Sequence, residues 1–412
     1  MGRPLSRPLP IISVVSGMIE IILPKTPNDF ENLLILTIIL SYRGILKSII
    51  AEEGRIPFLK TYKIVSFHFL NVSLKLINKC KINLLKGKRN KTMKKSKVYS
   101  VFAALALSLS LLIGAVLYLG PKSNFYLIPP SPRTYGQIAL KQMDSMGLYA
   151  QGDDWNKAKN SAEKELKTVS TYSQARKVLS KVVKEAGGKH SFIQSKQEIS
   201  QTKAKKQLPT VKMLEQQTLL VTLPEFLGSD PKEMAKYADA LNNHLSYDHY
   251  KAVIINLANN GGGNMAPMLI GLSSLLPDGK LFSSQDKYQQ KTDYLLAKNK
   301  LKNQAKIKLQ KAIHKQKVPI ALVINGKTAS SAEMVALSFK GLKKTRYFGV
   351  NSASYTTVNM TFPLYDGAEM MLSIAKTIDR NGQSYENQPI IPDQVSSTAL
   401  EDAQKWLSGQ VK

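Results

Sequence analysis

Val318-Pro319-Ile320-Ala321-Leu322-Val323-Ile324-Asn325-Gly326-Lys327-Thr328-Ala329-Ser330-Ser331-Ala332-Glu333-Met334 is the stretch on which the fold turns. A continuous apolar run ends in Asn325-Gly326, small and hydroxylated residues follow, and then apolar residues recur at helical spacing (Met334, Val335, Leu337, Phe339, Leu342). This is the grammar of a buried strand, a turn and a helix. It puts Ser330 at a helix N-terminus, where unpaired N–H groups and the helix dipole favour negative charge. Two readings stay open locally. Ser330 is an activated nucleophile, or Ser330 and Glu333 are a capping box on an inert helix.

Outward from this stretch, strands and helices alternate. Thr218–Leu223 reads as a strand, Pro231–Leu245 as an amphipathic helix and Ala252–Leu257 as a buried strand. The turn Asn259-Asn260-Gly261-Gly262-Gly263 then leads into a helix over Met265–Leu276. Short strands follow at Tyr347–Val350, Thr357–Pro363 and Glu369–Ile374. Alternation of this kind predicts a mainly parallel α/β domain over residues 206–400, with a tail at 401–412. Within it, the Lys- and Gln-rich residues 285–316 are expected to form an exposed basic helical insertion. Upstream, residues 134–205 read as a small helical domain. Its helices lie near Ile138–Met146, Trp155–Leu166 and Tyr172–Ala186, the last stopped by Gly187-Gly188. Gln194–Gln207 reads as an irregular surface connection.

The chain carries 58 Lys and Arg against 29 Asp and Glu. The excess is spread out, with 18 basic and 5 acidic residues up to Lys97 and 40 against 24 beyond it. No basic motif interleaved with aromatic residues stands out, so nucleic acid is not among the expected partners. Diffuse positive charge suits a membrane face or anionic cell-wall polymers. Val98–Leu119 is uncharged and long enough to cross a bilayer as a helix. Lys86, Lys88, Arg89, Lys91, Lys94, Lys95 and Lys97 precede it, which keeps that flank cytoplasmic and exports the chain beyond Gly120. Residues 93–120 therefore read as a basic flank and transmembrane signal-anchor, and 121–133, with four prolines, as a linker. The expected location is the cell membrane, single-pass, with the catalytic domain extracytoplasmic, or secreted if the signal is cleaved. Residues 1–92 are a doubtful leader without clear periodicity, and translation is expected to start at Met93. The single cysteine, Cys80, lies in that leader. No thiol remains beyond it for a disulfide, a cysteine nucleophile or a thiolate metal site, and neither a metal nor a cofactor is expected.

A serine nucleophile needs a base, a group that orients the base, and donors for the oxyanion. His190, in Gly187-Gly188-Lys189-His190-Ser191-Phe192, follows a helix stop on a loop and is the candidate base; an ordinary loop histidine fits the same spacing. Of the other histidines, His68 lies in the leader, and His244, His249 and His314 sit in polar settings. The Asn259–Gly263 turn exposes backbone N–H groups without side-chain obstruction, or is merely a tight connection. It matches neither phosphate-loop nor dinucleotide fingerprints. Glu386, among prolines in Tyr385–Asp393, is an orienting carboxylate or a solvated one.

Together, Gly187–Phe192, Val253–Gly263, Pro319–Glu333 and Glu386–Asp393 resemble the C-terminal-processing (tail-specific) serine proteases and their relative, the tricorn protease. The resemblance spans about residues 135–395. It implies a crotonase-like, or ClpP-like, α/β catalytic domain preceded by a small helical domain and, here, by one N-terminal transmembrane helix. Members of the family use either a Ser–Lys dyad or a Ser–His–Glu set. Where the lysine belongs, this chain has Tyr355, and no lysine occurs from Thr345 to Ser373. His190, Ser330 and Glu386 match the second arrangement in chain order. The resemblance thus implies a serine-type peptidase acting on peptides or proteins through an acyl-enzyme. Ser330 is its nucleophile, His190 its base and Glu386 the orienting residue, assisted by Ser191. The oxyanion donors would be Ser331 N–H and one from Gly261 or Gly262, with Tyr355 lining the site. Asn256-Leu257-Ala258 departs from the family's Asp-Leu-Arg, and there is no room for a PDZ module. The alternative is a catalytically silent binder on the same fold, like the retinoid-binding relatives.

Overall fold

The computed structural model describes residues 128–202, 207–297, 300–302 and 307–411, with the single positions 110, 114, 120 and 126. The leader, Cys80, the basic flank and almost all of the apolar run 98–119 lie outside the described residues. Among those described, no helix is long and apolar enough to cross a membrane.

Two sheets carry the architecture, one mostly parallel and one antiparallel. The first contains β2 (Thr210–Met213), β3 (Thr218–Thr222), β4 (Ala252–Asn256), β8 (Ile320–Ile324), β9 (Thr345–Gly349) and β13 (Gln394–Val395). Its order is β13-β9-β8-β4-β3-β2, and every pairing except β2–β3 is parallel. The apolar strands expected from sequence are here: Val253, Ile254, Ile255, Ala321 and Leu322 are fully buried. A strand covered on both faces has no polar alternation to show. Helices α5 (Pro231–Leu245), α6 (Met265–Gly271) and α7 (Ser331–Phe339) share one core with inward residues of these strands. On the other face, α8 (Ala399–Ser408) packs Ala403 and Leu407 against Ile254, Ala321, Val323 and Phe348.

The second sheet contains β1 (Phe192–Gln194), β5 (Gly279–Asp286), β6 (Lys291–Ala297), β7 (Lys300–Leu301), β10 (Val358–Pro363), β11 (Glu369–Ile378) and β12 (Ser384–Tyr385). All its pairings are antiparallel, and the long β11 touches β1, β5, β10 and β12. Three helices precede it: α1 (Pro132–Met146), α2 (Gly152–Glu165) and α3 (Tyr172–Gly187). In α3, Ala175, Val178, Leu179, Val182, Val183 and Ala186 form the apolar stripe read from sequence. Their core also holds Phe362, Leu364, Met370 and Leu372 from β10, β11 and the turn between them. Asp366 in that turn accepts from Tyr135 Oη at 3.1 Å and pairs with Arg176. The helices and this late hairpin are therefore one packing unit.

The helix expected over 285–316 is a correction. Residues 279–297 form the β5–β6 hairpin, whose turn is held by Asp286 Oδ1 accepting from Tyr288 and Gln290 N–H, each at 2.9 Å. Phe282 stacks on Tyr294 at 4.5 Å and Leu296 is buried. Tertiary burial here overrides the weak helical preference of Lys and Gln. Residues 307–316 run as a non-helical strap that is largely exposed, as expected. Gln310 N–H donates to Asp239 at 2.9 Å, His314 N–H to Ser246 Oγ at 3.1 Å, and Lys315 Nζ reaches the Ser273 and Leu276 carbonyls. Two smaller differences concern helix ends. The expected loop at 194–207 contains the short α4 (Lys196–Thr202), and α6 stops at Gly271 instead of Leu276.

Phe348 is fully buried and lies 5.9 Å from the Trp406 ring, joining β9 to α8. Phe348→Ala is expected to cost about 3–5 kcal/mol. In urea unfolding the midpoint should fall with an unchanged m-value.

Candidate active site

Strands β4, β8 and β9 are adjacent and parallel, so the segments leaving their C-terminal ends emerge at one edge of the sheet. That edge is where open α/β sheets bind ligands. The segments are the Asn259–Gly263 turn, the Lys327–Ser331 turn and the 351–357 loop. Side chains lock the first two together. Asn259 and Asn325 exchange two hydrogen bonds at 3.1 Å, and Thr328 Oγ1 donates to the Leu257 carbonyl at 2.9 Å. Asn260 is fully buried; its Nδ2 donates to the Leu223 carbonyl at 2.9 Å, and its own carbonyl accepts from Ala329 N–H at 3.0 Å. The glycine turn thus sits directly beneath the residue before Ser330.

Ser330 adopts φ 55° and ψ −118°, a conformation rare for a side chain with a Cβ. Glu333, fully buried, holds it there: Oε2 accepts from Ser330 N–H at 2.8 Å and Tyr355 N–H at 2.9 Å. The other oxygen, Oε1, accepts from Ser352 Oγ at 2.5 Å and Ser354 N–H at 3.0 Å. Burial raises the Glu333 carboxyl above its ordinary value, and these hydrogen bonds oppose the rise. The capping-box pattern legible in sequence is therefore real on the glutamate side. It does more than cap, because it ties the serine to the 352–355 loop.

The Ser330 hydroxyl lies 3.1 Å from His190 Nε2. His190 arrives from the other layer. It follows Gly188, whose φ of 75° ends α3, and it precedes β1. The imidazole is buried, 7% exposed, with Tyr355 packed edge-on at 5.1 Å between ring centres. Lys189 Nζ in turn lies 4.8 Å from the centre of the Tyr355 ring. Burial pushes His190 down to about 4; the hydrogen bond with the Thr357 backbone works against this, and Lys189 adds to it. The ring is therefore neutral at neutral pH, as a base must be.

The partner of His190 Nδ1 is Thr357 Oγ1, at 3.0 Å. Glu386, expected in that role, instead faces Tyr149. Burial first, and Glu386 second, push the Tyr149 hydroxyl up to about 12. Tyr149 also accepts from Asn387 Nδ2 at 3.2 Å, so Glu386 belongs to a rim beside the Gly188 turn. A carboxylate three residues before a proline is the late acid that the family resemblance singles out. Nothing in its local sequence distinguishes facing a tyrosine from facing an imidazole. Ser191, expected to assist in the orienting, accepts at Oγ from Ser373 N–H at 2.9 Å, which pins the histidine loop to β11.

Of the two expected donor glycines, Gly262 is the one that packs against the serine turn. Gly262, at φ 105°, sits so close that a Cβ would lie 2.8 Å from Ser330 Cβ and 2.9 Å from Ser331 N. Its N–H donates to Asn260 Oδ1 at 2.9 Å and is therefore already engaged. Ser331 is the first residue of α7, where N–H groups have no intrahelical partner. Its hydroxyl donates to the Gly263 carbonyl, a further clamp between the two turns. Sequence reasoning missed Thr357, Ser373 and Asn359, which surround His190. Threonines and serines on an alternating strand carry no signal of their own.

A serine hydroxyl at a helix start, a neutral imidazole in contact with it and an adjacent glycine turn are the parts of acyl-transfer chemistry. Comparison with known proteins agrees at the level of family. The model of Peptidase family S41 matches residues 217–396, which hold Ser330, Glu333 and Thr357 but not His190. A nisin-resistance protein of Lactococcus lactis subsp. lactis is 37% identical over 306 residues, covering 74% of this chain and 95% of that protein. A solved lipoprotein from Streptococcus agalactiae is 42% identical with a TM-score of 0.66, covering 70% of this chain and 99% of that one. Relatives this similar over almost their whole length leave one assignment: the chain belongs to peptidase family S41.

Proposed function

We propose that this protein is a serine peptidase of the cell envelope that cleaves peptides through an acyl-enzyme on Ser330. The observation that carries the reading is the 3.1 Å approach of His190 Nε2 to Ser330 Oγ, on a serine held at a helix N-terminus. His190 takes the hydroxyl proton as Ser330 Oγ attacks the scissile carbonyl. The oxyanion meets Ser331 N–H and Gly261 N–H, donors of a kind worth about 3 kcal/mol in the transition state. The imidazolium then protonates the leaving amine. Water, deprotonated by the same ring, releases the acyl group and restores Ser330. Thr357 orients the ring in this scheme, and Glu386 acts from the rim through Tyr149, so the working unit is a Ser–His pair. A hydroxyl stabilises the imidazolium less than a carboxylate does, which fits the low basicity of the buried ring.

The crotonase-like assignment belongs to the same proposal. The parallel strands β3, β4, β8 and β9, with the glycine turn and Ser330 at their C-terminal ends, support it. An extracytoplasmic place, anchored through residues 98–119, belongs to it too: one relative is described as a lipoprotein and another as a nisin-resistance protein. The latter makes nisin the first peptide to test as substrate. A silent binder is the weaker reading, since it has no need of a serine pressed against a neutral histidine.

A fluorophosphonate probe should label the folded protein at Ser330, and Ser330→Ala should abolish labelling. His190→Ala should slow it by at least about a thousandfold, whereas Glu386→Gln should change it by less than about tenfold. No labelling of a folded sample would favour the binder. Mass spectrometry of nisin incubated with the full chain tests the substrate separately.

The acid limb of kcat/KM reports His190 in the free enzyme. With the folded ring at about 4 against 6.5 ordinarily, activity should persist well below pH 6.5 and fall as pH passes about 4. The same depression makes the unfolded chain bind the extra proton first. This group's contribution to stability is therefore complete above pH 6.5 and shrinks as pH drops toward 4. An acid limb at or above 6.5 contradicts the buried-base description.

A further inference from the structure

We infer that an uncharged chain of hydrogen bonds, Asn359–Ser373–Thr357, sets the tautomer of His190 and so aims its basic nitrogen at Ser330. The inference rests on reading His190 as the base of Ser330 and adds the residues that make it one.

The direction of every proton in the chain follows from its far end. Asn359 Nδ2 lies 2.8 Å from the His190 carbonyl oxygen. A carbonyl only accepts, so the amide end of Asn359 must face it, and Oδ1 faces the other way. Oδ1 also only accepts. Ser373 Oγ, 2.7 Å away, must therefore donate to it and has no second proton to give. Thr357 Oγ1 lies 3.0 Å from Ser373 Oγ, and in that bond the donor must be Thr357. Its proton is then spent as well. The remaining contact, 3.0 Å from Thr357 Oγ1 to His190 Nδ1, closes only if Nδ1 carries the proton. Nε2 is then left with its lone pair toward the Ser330 hydroxyl 3.1 Å away.

Four side chains and one backbone carbonyl thus form a ring that begins and ends on His190. Thr357 and Ser373 are buried, at 2% and 0% exposure, so water does not compete for these bonds. Two further bonds hold the ring in shape. Ser373 N–H donates to Ser191 Oγ at 2.9 Å, and Thr357 follows Thr356, whose Oγ1 donates to the Gln388 carbonyl at 3.0 Å. In serine peptidases of the Ser–His–Asp kind, a carboxylate on Nδ1 selects the tautomer by charge. Here the selection comes from the order of donors and acceptors, without charge. Thr357, Ser373 and Asn359 are positioning residues in this scheme, since none of them meets the substrate.

The test reads the tautomer directly. Histidine labelled with 15N in the full chain shows, by long-range 15N–1H correlation, which ring nitrogen is protonated; the His190 signal is the one missing in His190→Gln. The wild type should show Nδ1–H. In Ser373→Ala, Thr357 is free to turn its proton toward the ring, so the population should move to Nε2–H. Labelling of Ser330 by the fluorophosphonate should slow by at least about tenfold in parallel. Thr357→Ser, which keeps the hydroxyl, should retain both the tautomer and the labelling rate, whereas Thr357→Val should lose both. Should Ser373→Ala not fold, Asn359→Ala at its half-buried position decides, because it removes the acceptor that orders the chain. A folded Ser373→Ala or Asn359→Ala that keeps Nδ1–H and labels within about threefold of wild type overturns the inference. In that case the Thr357 backbone alone holds the ring. Absence of labelling in the wild type would instead remove the peptidase reading, while the tautomer measurement still judges the chain of hydrogen bonds.

Discussion

The buried carboxylate of Glu333 is the constraint around which the site is arranged. Its two oxygens take four donors, three of them backbone N–H groups, from the turn of Ser330 and from residues 352–355. Leaving even one such donor unsatisfied in a buried place costs about 1–3 kcal/mol. The carboxylate therefore dictates two backbone conformations at once. It keeps Ser330 at its uncommon φ of 55°, and it brings Tyr355 to the face of the imidazole. The strained serine and the loop that covers its partner are set by one side chain.

The second constraint is closeness. Gly262 touches both Ser330 and Ser331, and a side chain there would occupy the space of the candidate nucleophile's own backbone. Asn260 keeps that glycine in place by accepting its N–H and by bonding to the strand below. Such contact between two turns is possible because β4 and β8 are parallel neighbours whose loops leave from the same edge. The site is thus assembled from rigid elements, with the histidine delivered by a different packing layer.

Around His190 the protein relies on neutral groups. Its Nδ1 meets a hydroxyl, its ring meets Tyr355, and Lys189 lies over that tyrosine. Burial without a compensating carboxylate explains the depressed basicity of the ring. Glu386, at the rim of the site, spends its charge on Tyr149.

Ser330 and His190 as candidates, the glycine turn and the parallel strands were all legible in the chain, because each has a local cause. Apolar runs mark strands buried on both faces, Gly187-Gly188 ends a helix, and hydroxylated residues before an apolar period mark a helix start. The same local logic erred over 285–316, where Phe282, Tyr294 and Leu296 find their partners only once the hairpin packs on the core. It also left Glu333 looking like a mere cap and Glu386 like an orienting residue.

By itself, then, the sequence determined which segments become most of the strands and helices, and which serine and histidine are the candidates for chemistry. Only the tertiary structure decided what stands behind the histidine. Thr357, Ser373 and Asn359 come from the residue just before β10, from β11 and from β10, far from His190 in sequence. Hydrogen bonds between such positions depend on strand register and on the docking of one layer against another, and neither leaves a local trace in the order of residues.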